Sequence, residues 1–221
     1  MAAPEPTRET GPYTARGNEP FWRLDVNDTA VRWTTPEQTL LSEEPAVQAP
    51  TPVAPGWRGF SVWISGETLM AEIRPVACQD TMSGQTYPDT VTVTFQGGAL
   101  EGCGGAPMDL LVGSWRLEQV GDAPALAGPQ TASLMIATDG TLSGSTGCNR
   151  MFGRLMVTGE GITIEGMGTT RMACLDPGLS AQEQRVTQGL AGATAFSIDA
   201  EGRLVLPSGD GAPLRWVRVS P

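Results

Sequence analysis

SLMIATDGTLSGSTGCN, residues 133–149, decides the fold. Two short runs alternate apolar and small polar residues on either side of Asp139-Gly140, a pair that favours the tight turn of a β-hairpin. The pattern continues outward in both directions. LLVGSWRLEQV (110–120) precedes it, and RLMVTG (154–159) with ITIEGM (162–167) forms a second hairpin across Glu160-Gly161. One helix is expected next: Ser180 with Glu183 three residues on reads as a capping box, and Val186, Leu190 and Ala193 recur on one face. AFSIDAEGRLVLPSGDGAPLRWVRV (195–219) then reads as three strands broken by Glu-Gly and Asp-Gly.

Upstream, EPFWRLDV (19–26), TAVRWT (29–34), GFSVWI (59–64), TLMAEIRPV (68–76) and TVTVTF (90–95) are short runs bounded by Gly, Pro, Asn or Asp. They read as an antiparallel meander that curls on itself. The Pro- and Glu-rich stretch 34–58 is expected as a long loop with one irregular strand, and residues 1–15 as a flexible arm. The fold class expected is mainly β (β-rich α+β): two small antiparallel β-meander or barrel-like domains, 16–108 and 109–221. The second carries one packed helix.

The 221 residues include 28 Gly and 18 Pro, spread between apolar runs instead of pooled, as a turn-rich β protein requires. All 14 basic residues are Arg; neither Lys nor His occurs. That excludes Schiff-base lysines, a P-loop lysine, histidine triads, haem histidines and histidine-containing zinc sites. A formal charge of -10 disfavours nucleic acid and anionic membrane. No run approaches the ~18 apolar residues of a membrane helix. The start, MAAPEPTRETGPYTARG, lacks the apolar core of a signal peptide. It reads as a mature exported domain behind an added Met, or as a cytoplasmic protein with a loose end.

Cys78, Cys103, Cys148 and Cys174 fall two to each region. Zinc requires close pairs, and a catalytic thiol requires a base, so two disulfides are the economical reading. Domain separation selects 78–103 and 148–174 from three connectivities. Each staple should restrict the unfolded chain by roughly 3–4 kcal/mol and would place the protein in an oxidising compartment. The alternative is four buried thiols in a cytosolic protein.

From Gly113 onward the chain resembles the META domain family, the HslJ-like proteins of bacteria. The resemblance rests on WRL from Trp115, GTLSGSTGCNR (140–150), MGTTRMAC (167–174), Pro177 and Glu183, LVL from Leu204 and LRW from Leu214. It implies a small β-rich fold with one helix, in exported and often lipid-anchored proteins tied to heat shock, novobiocin resistance, virulence or motility, with no agreed activity. No lipobox cysteine precedes the fold, which departs from anchored members. The first region, through GNEPFW (17–22), CQDTMSG (78–84), Tyr87-Pro88 and Gly102-Cys103, resembles a bacterial domain of unknown function that accompanies META-like domains.

If the second staple forms, Asn149 and Arg150 meet Thr170 and Arg171. Two guanidiniums with an amide and a hydroxyl could take a carboxylate or another planar oxyanion. The competing reading is structural, with Asn149 in a left-handed turn and the arginines paired to nearby Glu. Asp80, Ser83 and Asp89 suggest a calcium loop or, without the EF-hand pattern, an Asx-type turn. Trp22 and Trp115 are expected to plug their barrels, whereas Trp57 could stack on a sugar or peptide. Met151, Met156, Met167 and Met172 read as core fillers, or as soft copper ligands. Neither cofactor, catalytic residue nor resident metal is expected.

The functional expectation is a non-enzymatic envelope module, monomeric, periplasmic or outer-membrane associated. It would bind an unknown small molecule or envelope protein, with no nucleic acid and no transmembrane segment. An inhibitor of an envelope enzyme such as lysozyme or a protease is the alternative, and a carboxylate-dependent hydrolase a further one. An exposed rigid loop would favour the inhibitor, and a cleft with two facing acids the hydrolase.

Overall fold

The computed structural model describes residues 12–44, 47–48, 58–159, 161–207 and 212–219. Trp57, Glu160 and most of the expected arm lie outside them. The chain forms two compact units, one running to Asp80 and resuming over Tyr87–Ala106, the other made of Thr81–Thr86 and Pro107–Pro221. The second unit thus takes in six residues of the earlier segment. No helix among the described residues is long and apolar enough to cross a membrane.

The first unit is built on nine antiparallel strands: β1 (Tyr13–Asn18), β2 (Phe21–Val26), β3 (Val31–Thr34), β4 (Thr39–Ser42), β5 (Val47–Gln48), β6 (Arg58–Ile64), β7 (Glu67–Arg74), β10 (Asp89–Phe95) and β11 (Gly98–Gly104). Two-residue strands β8 (Cys78–Gln79) and β9 (Thr86–Tyr87) flank Thr81 to Gln85. The order is β4-β3-β2-β1-β11-β10-β7-β6-β5, and β4 also lies against β6, so the sheet curls towards a barrel. Alternation sets the inside: on β10, Val91 and Val93 are fully buried while Thr90, Thr92 and Thr94 beside them face outward. Trp22 and Trp33 stack in this core with ring centroids 5.4 Å apart. Gly102 leaves the room that Trp22 fills, because a Cβ there would collide with the Arg16 carbonyl and the indole.

Strand β1 corrects the expected arm. Tyr13, Thr14 and Ala15 are paired to β2, and Ala15 also to β11. The polar look of YTARGN hid a strand whose fully buried positions are only Ala15 and Gly17, with Tyr13 half-buried against the same core. The stretch 34–58 likewise holds two short strands, β4 and β5.

The second unit opens with α1 (Met108–Leu111) and continues through β12 (Gly113–Val120), β13 (Ala123–Pro124), β14 (Ser133–Ile136), β15 (Thr141–Ser145), β16 (Arg150–Val157) and β17 (Ile162–Thr169). Then follow α2 (Pro177–Ala191), β18 (Ser197–Ile198), β19 (Leu204–Leu206) and β20 (Leu214–Arg218). The strand order is β17-β16-β15-β14-β12-β20-β19-β18, all antiparallel, with β13 paired to β12. Both expected hairpins are present, β14–β15 and β16–β17. Trp115 and Trp216 sit in the core with Leu134, Leu142 and Val186, and the Trp115 indole N–H donates to the Leu111 carbonyl at 2.8 Å. Helix α2 packs Leu179, Val186 and Leu190 inward.

The start of α2 corrects the expected cap. Asp176 is the N-cap, its carboxylate accepting from the Gly178 N–H at 2.7 Å, and Pro177 occupies the first turn. Ser180 lies inside the helix and donates to the Cys174 carbonyl. Glu183 turns away from any capping role.

Candidate functional site: the stapled loop of the C-terminal domain

Both disulfides join the pairs expected, Cys78–Cys103 and Cys148–Cys174, and the described residues contain no free cysteine. The second staple carries the more elaborate surroundings. The chain leaves β15 at Ser145 and turns sharply at Gly147, whose φ of 103° suits glycine. The left-handed residue of this turn is therefore Gly147, not Asn149. Ser145 and Thr146 hydroxyls accept from the backbone N–H groups of Gly147 and Asn149, which fixes the turn.

Asn149 is buried, with 1% of its surface exposed, and its side chain is fully engaged. Its Oδ1 accepts from the Thr170 hydroxyl at 2.7 Å and from the Met172 N–H at 2.8 Å. Its Nδ2 donates to the Met172 carbonyl at 3.1 Å and to Glu183 at 3.0 Å. Glu183 also accepts from the Thr146 hydroxyl at 2.7 Å. Gln182, one residue earlier on α2, donates to the Thr146 carbonyl and accepts from the Leu126 N–H at 2.7 Å. One amide thus ties three elements together: the turn after β15, the segment after β17, and α2. Buried polar groups satisfied in this way rigidify what they join.

Of the four residues expected to gather, Asn149, Thr170 and the Arg150 backbone are joined by hydrogen bonds, and Arg171 follows Thr170 in the chain. Asn149 spends its capacity on the scaffold, and Thr170 spends its hydroxyl donating to Asn149 and accepting from the Arg150 N–H at 3.1 Å. Arg150 and Arg171 present exposed side chains, and no described carboxylate pairs with either. The segment 170–173 is exposed throughout, followed by Leu175 at 97%.

Arg150 belongs to a wider surface. Cross-strand register places Arg116, Ser133, Ser145 and Arg150 in one row on the outer face of the sheet. The next row runs Ser114, Met135, Ser143, Phe152 and Gly168. Met135 and Phe152 are about half exposed, at 52% and 57%, and the Phe152 ring lies over Gly168 where a Cβ would meet it. Beyond them, Arg154 pairs across to Thr141 and Glu165 and donates to the Asp139 carbonyl. Arg154 also helps hold the Asp139 carboxyl below its ordinary range, behind the larger effect of hydrogen bonds from Thr141.

Asp80, Ser83 and Asp89 each make hydrogen bonds within the protein. Asp89, almost fully buried, accepts from Arg58 at 2.9 Å and Tyr13 at 3.1 Å. Asp80 accepts from the Asn18 amide, and Ser83 accepts from the Gln85 N–H in a local turn. Trp22 and Trp115 are core residues; Trp63 is 61% exposed. Of the four methionines only Met151 is buried in the core, while Met156 and Met172 face outward. The Cys148 and Cys174 sulfurs and a Glu183 oxygen lie within 4.8 Å of one another, but sulfurs joined as a disulfide offer no thiolate to a cation. Two open depressions of the second unit, one beside Asp122, Arg185 and Arg215 and one beside Arg116 and Gln130, bring no two carboxylates face to face.

Comparison with known proteins finds one family and two solved structures similar to this chain. The model of the META domain family matches residues 108–221. Two solved NMR structures are similar at 25% identity, one of them a protein from Burkholderia xenovorans. Each spans 51% of this chain, covering 93% and 86% of its own length, with TM-scores of 0.43 and 0.41. No curated protein matches the chain.

Proposed function

The chain belongs to the META domain family, and on that premise we propose that it is a non-enzymatic binding module of the bacterial envelope. Its C-terminal domain meets an anionic partner on the outer face of its sheet. One observation carries the reading: in a chain of formal charge -10, Arg116, Arg150 and Arg154 share a sheet face whose centre is Met135 and Phe152. Guanidiniums around an exposed apolar centre suit a partner with planar anionic groups on an apolar backbone. The two disulfides support an oxidising, extracytoplasmic setting. The reading involves no chemical step.

A labelled poly-glutamate chain serves as the probe. The oxidised protein should bind it in low salt and release it as salt rises, and Arg150→Gln with Arg154→Gln should abolish the signal while leaving the melting temperature unchanged. No binding at low salt, or binding indifferent to the double substitution, would remove the reading.

A further inference from the structure

The segment from Thr170 to Cys174 has neither helix, strand nor turn, and no residue in it adopts a left-handed φ. Exposed chain of this kind is ordinarily mobile, yet here it is held on both sides of Arg171. Before Arg171, the Thr170 N–H donates to the Arg150 carbonyl at 3.0 Å and the Thr170 hydroxyl to Asn149. After it, both backbone groups of Met172 bond the Asn149 side chain, and Cys174 is tied to Cys148. Arg171 itself has an exposed side chain with no described partner. A cationic side chain free to enter a pocket, on a backbone already fixed in place, is the arrangement a protease meets in a preorganised substrate.

We infer that Arg171–Met172 is a reactive-site bond and that this protein inhibits a serine protease whose specificity pocket carries a carboxylate. Guanidinium matches such a pocket through two parallel hydrogen bonds. Preorganisation removes the ordering cost that a flexible peptide meets on binding, so the loop binds tightly through an interface of ordinary size.

The same clamps make the loop a poor substrate. The protease serine oxygen adds to the Arg171 carbonyl carbon, the Arg171–Met172 C–N bond breaks, and the hydroxyl proton passes through the protease's base to the Met172 nitrogen. That nitrogen does not diffuse away: Cys174 is covalently tied to Cys148, and the new amine remains beside Asn149 Oδ1. Thr170 stays bonded to Arg150 on the acyl side. The amine is therefore positioned to attack the acyl-enzyme, restoring the amide and the serine without consuming water. This activity needs Arg171 but neither Arg150 nor Arg154 side chain, so it stands apart from the anionic-partner reading.

Trypsin, with a chromogenic arginine substrate, is the probe, against the full oxidised chain. Competitive inhibition is expected, with Arg171→Ala weakening it by about 100-fold or more at an unchanged melting temperature. Arg171→Leu should move inhibition from trypsin to chymotrypsin, which a loop acting only as scaffold could not do. Arg150→Gln with Arg154→Gln should leave inhibition intact. Absence of inhibition, rapid cleavage after Arg171 with trypsin left active, or inhibition that survives Arg171→Ala would each overturn the inference.

Discussion

The two disulfides close loops of nearly the same size, 25 and 26 residues apart, yet the ground around them differs in kind. Cys103 sits on β11 between Gly102 and Gly104, where the Trp22 indole and the Tyr13 hydroxyl press against bare backbone. That staple fastens a sheet at a point of tight apolar packing. Cys148 sits at a turn whose neighbours are the buried Thr146, Asn149 and Gln182 and the half-buried Glu183, a polar group in which hydrogen bonds, not volume, fix positions. That staple holds an exposed loop. Equal spacing therefore says little about what a staple does; the residues packed around it decide whether it secures a core or presents a surface.

Removing either staple should cost about the same, roughly 3.5 kcal/mol, because the loops closed are alike. Paired Cys→Ser variants, melted separately, check this. Both should lose stability, but only the Cys148/Cys174 variant should lose protease inhibition. Equal loss of inhibition in both would erase the distinction.

The next contrast is one of mechanism. Asn149→Ala leaves Glu183, Thr170 and the Met172 N–H short of a partner and should cost about 2–3 kcal/mol. At the first staple a single added methyl is the sensitive change: Gly102→Ala should cost about 1–3 kcal/mol through collision with Trp22 and the Arg16 carbonyl. Denaturant titration of both variants sharpens the comparison if each loss falls in its own domain.

The smallest effect is a pH dependence. In the first unit, hydrogen bonding from Arg23 holds the Asp25 carboxyl below its ordinary range, helped by Thr14 and opposed by partial burial. A depressed folded-state value contributes stability that is full above the unfolded value of about 3.9 and is lost as pH falls through the folded one. The pair is largely solvent-exposed, so the effect should stay below ~1 kcal/mol. Asp25→Asn should flatten the acid limb of the first domain's melting profile and leave the second domain's unchanged.

Most strands were legible because alternation and turn residues coincide, as in TVTVTF and around Asp139-Gly140. The cysteine pairing was legible from the domain division alone. Three features were not. β1 turns Tyr13, Ala15 and Gly17 inward, one ring with a polar tip and two small residues that do not register as an apolar face. Ser180 and Glu183 imitate a capping box, but Asp176 before Pro177 caps sooner, and Glu183 is drawn to Asn149. Grouping Asn149, Arg150, Thr170 and Arg171 could be reasoned from the staple, whereas their division into two scaffold residues and two exposed cations depends on which way each side chain faces. Periodicity carries no such information at a turn.

The central claim, that the second staple and Asn149 make an exposed loop rigid, is tested most directly by backbone ¹⁵N relaxation across Thr170–Cys174 in the oxidised protein. Order parameters near those of the strands, about 0.85, are predicted, with the Met172 N–H slow to exchange. Values below about 0.6, those of a flexible segment, would contradict it.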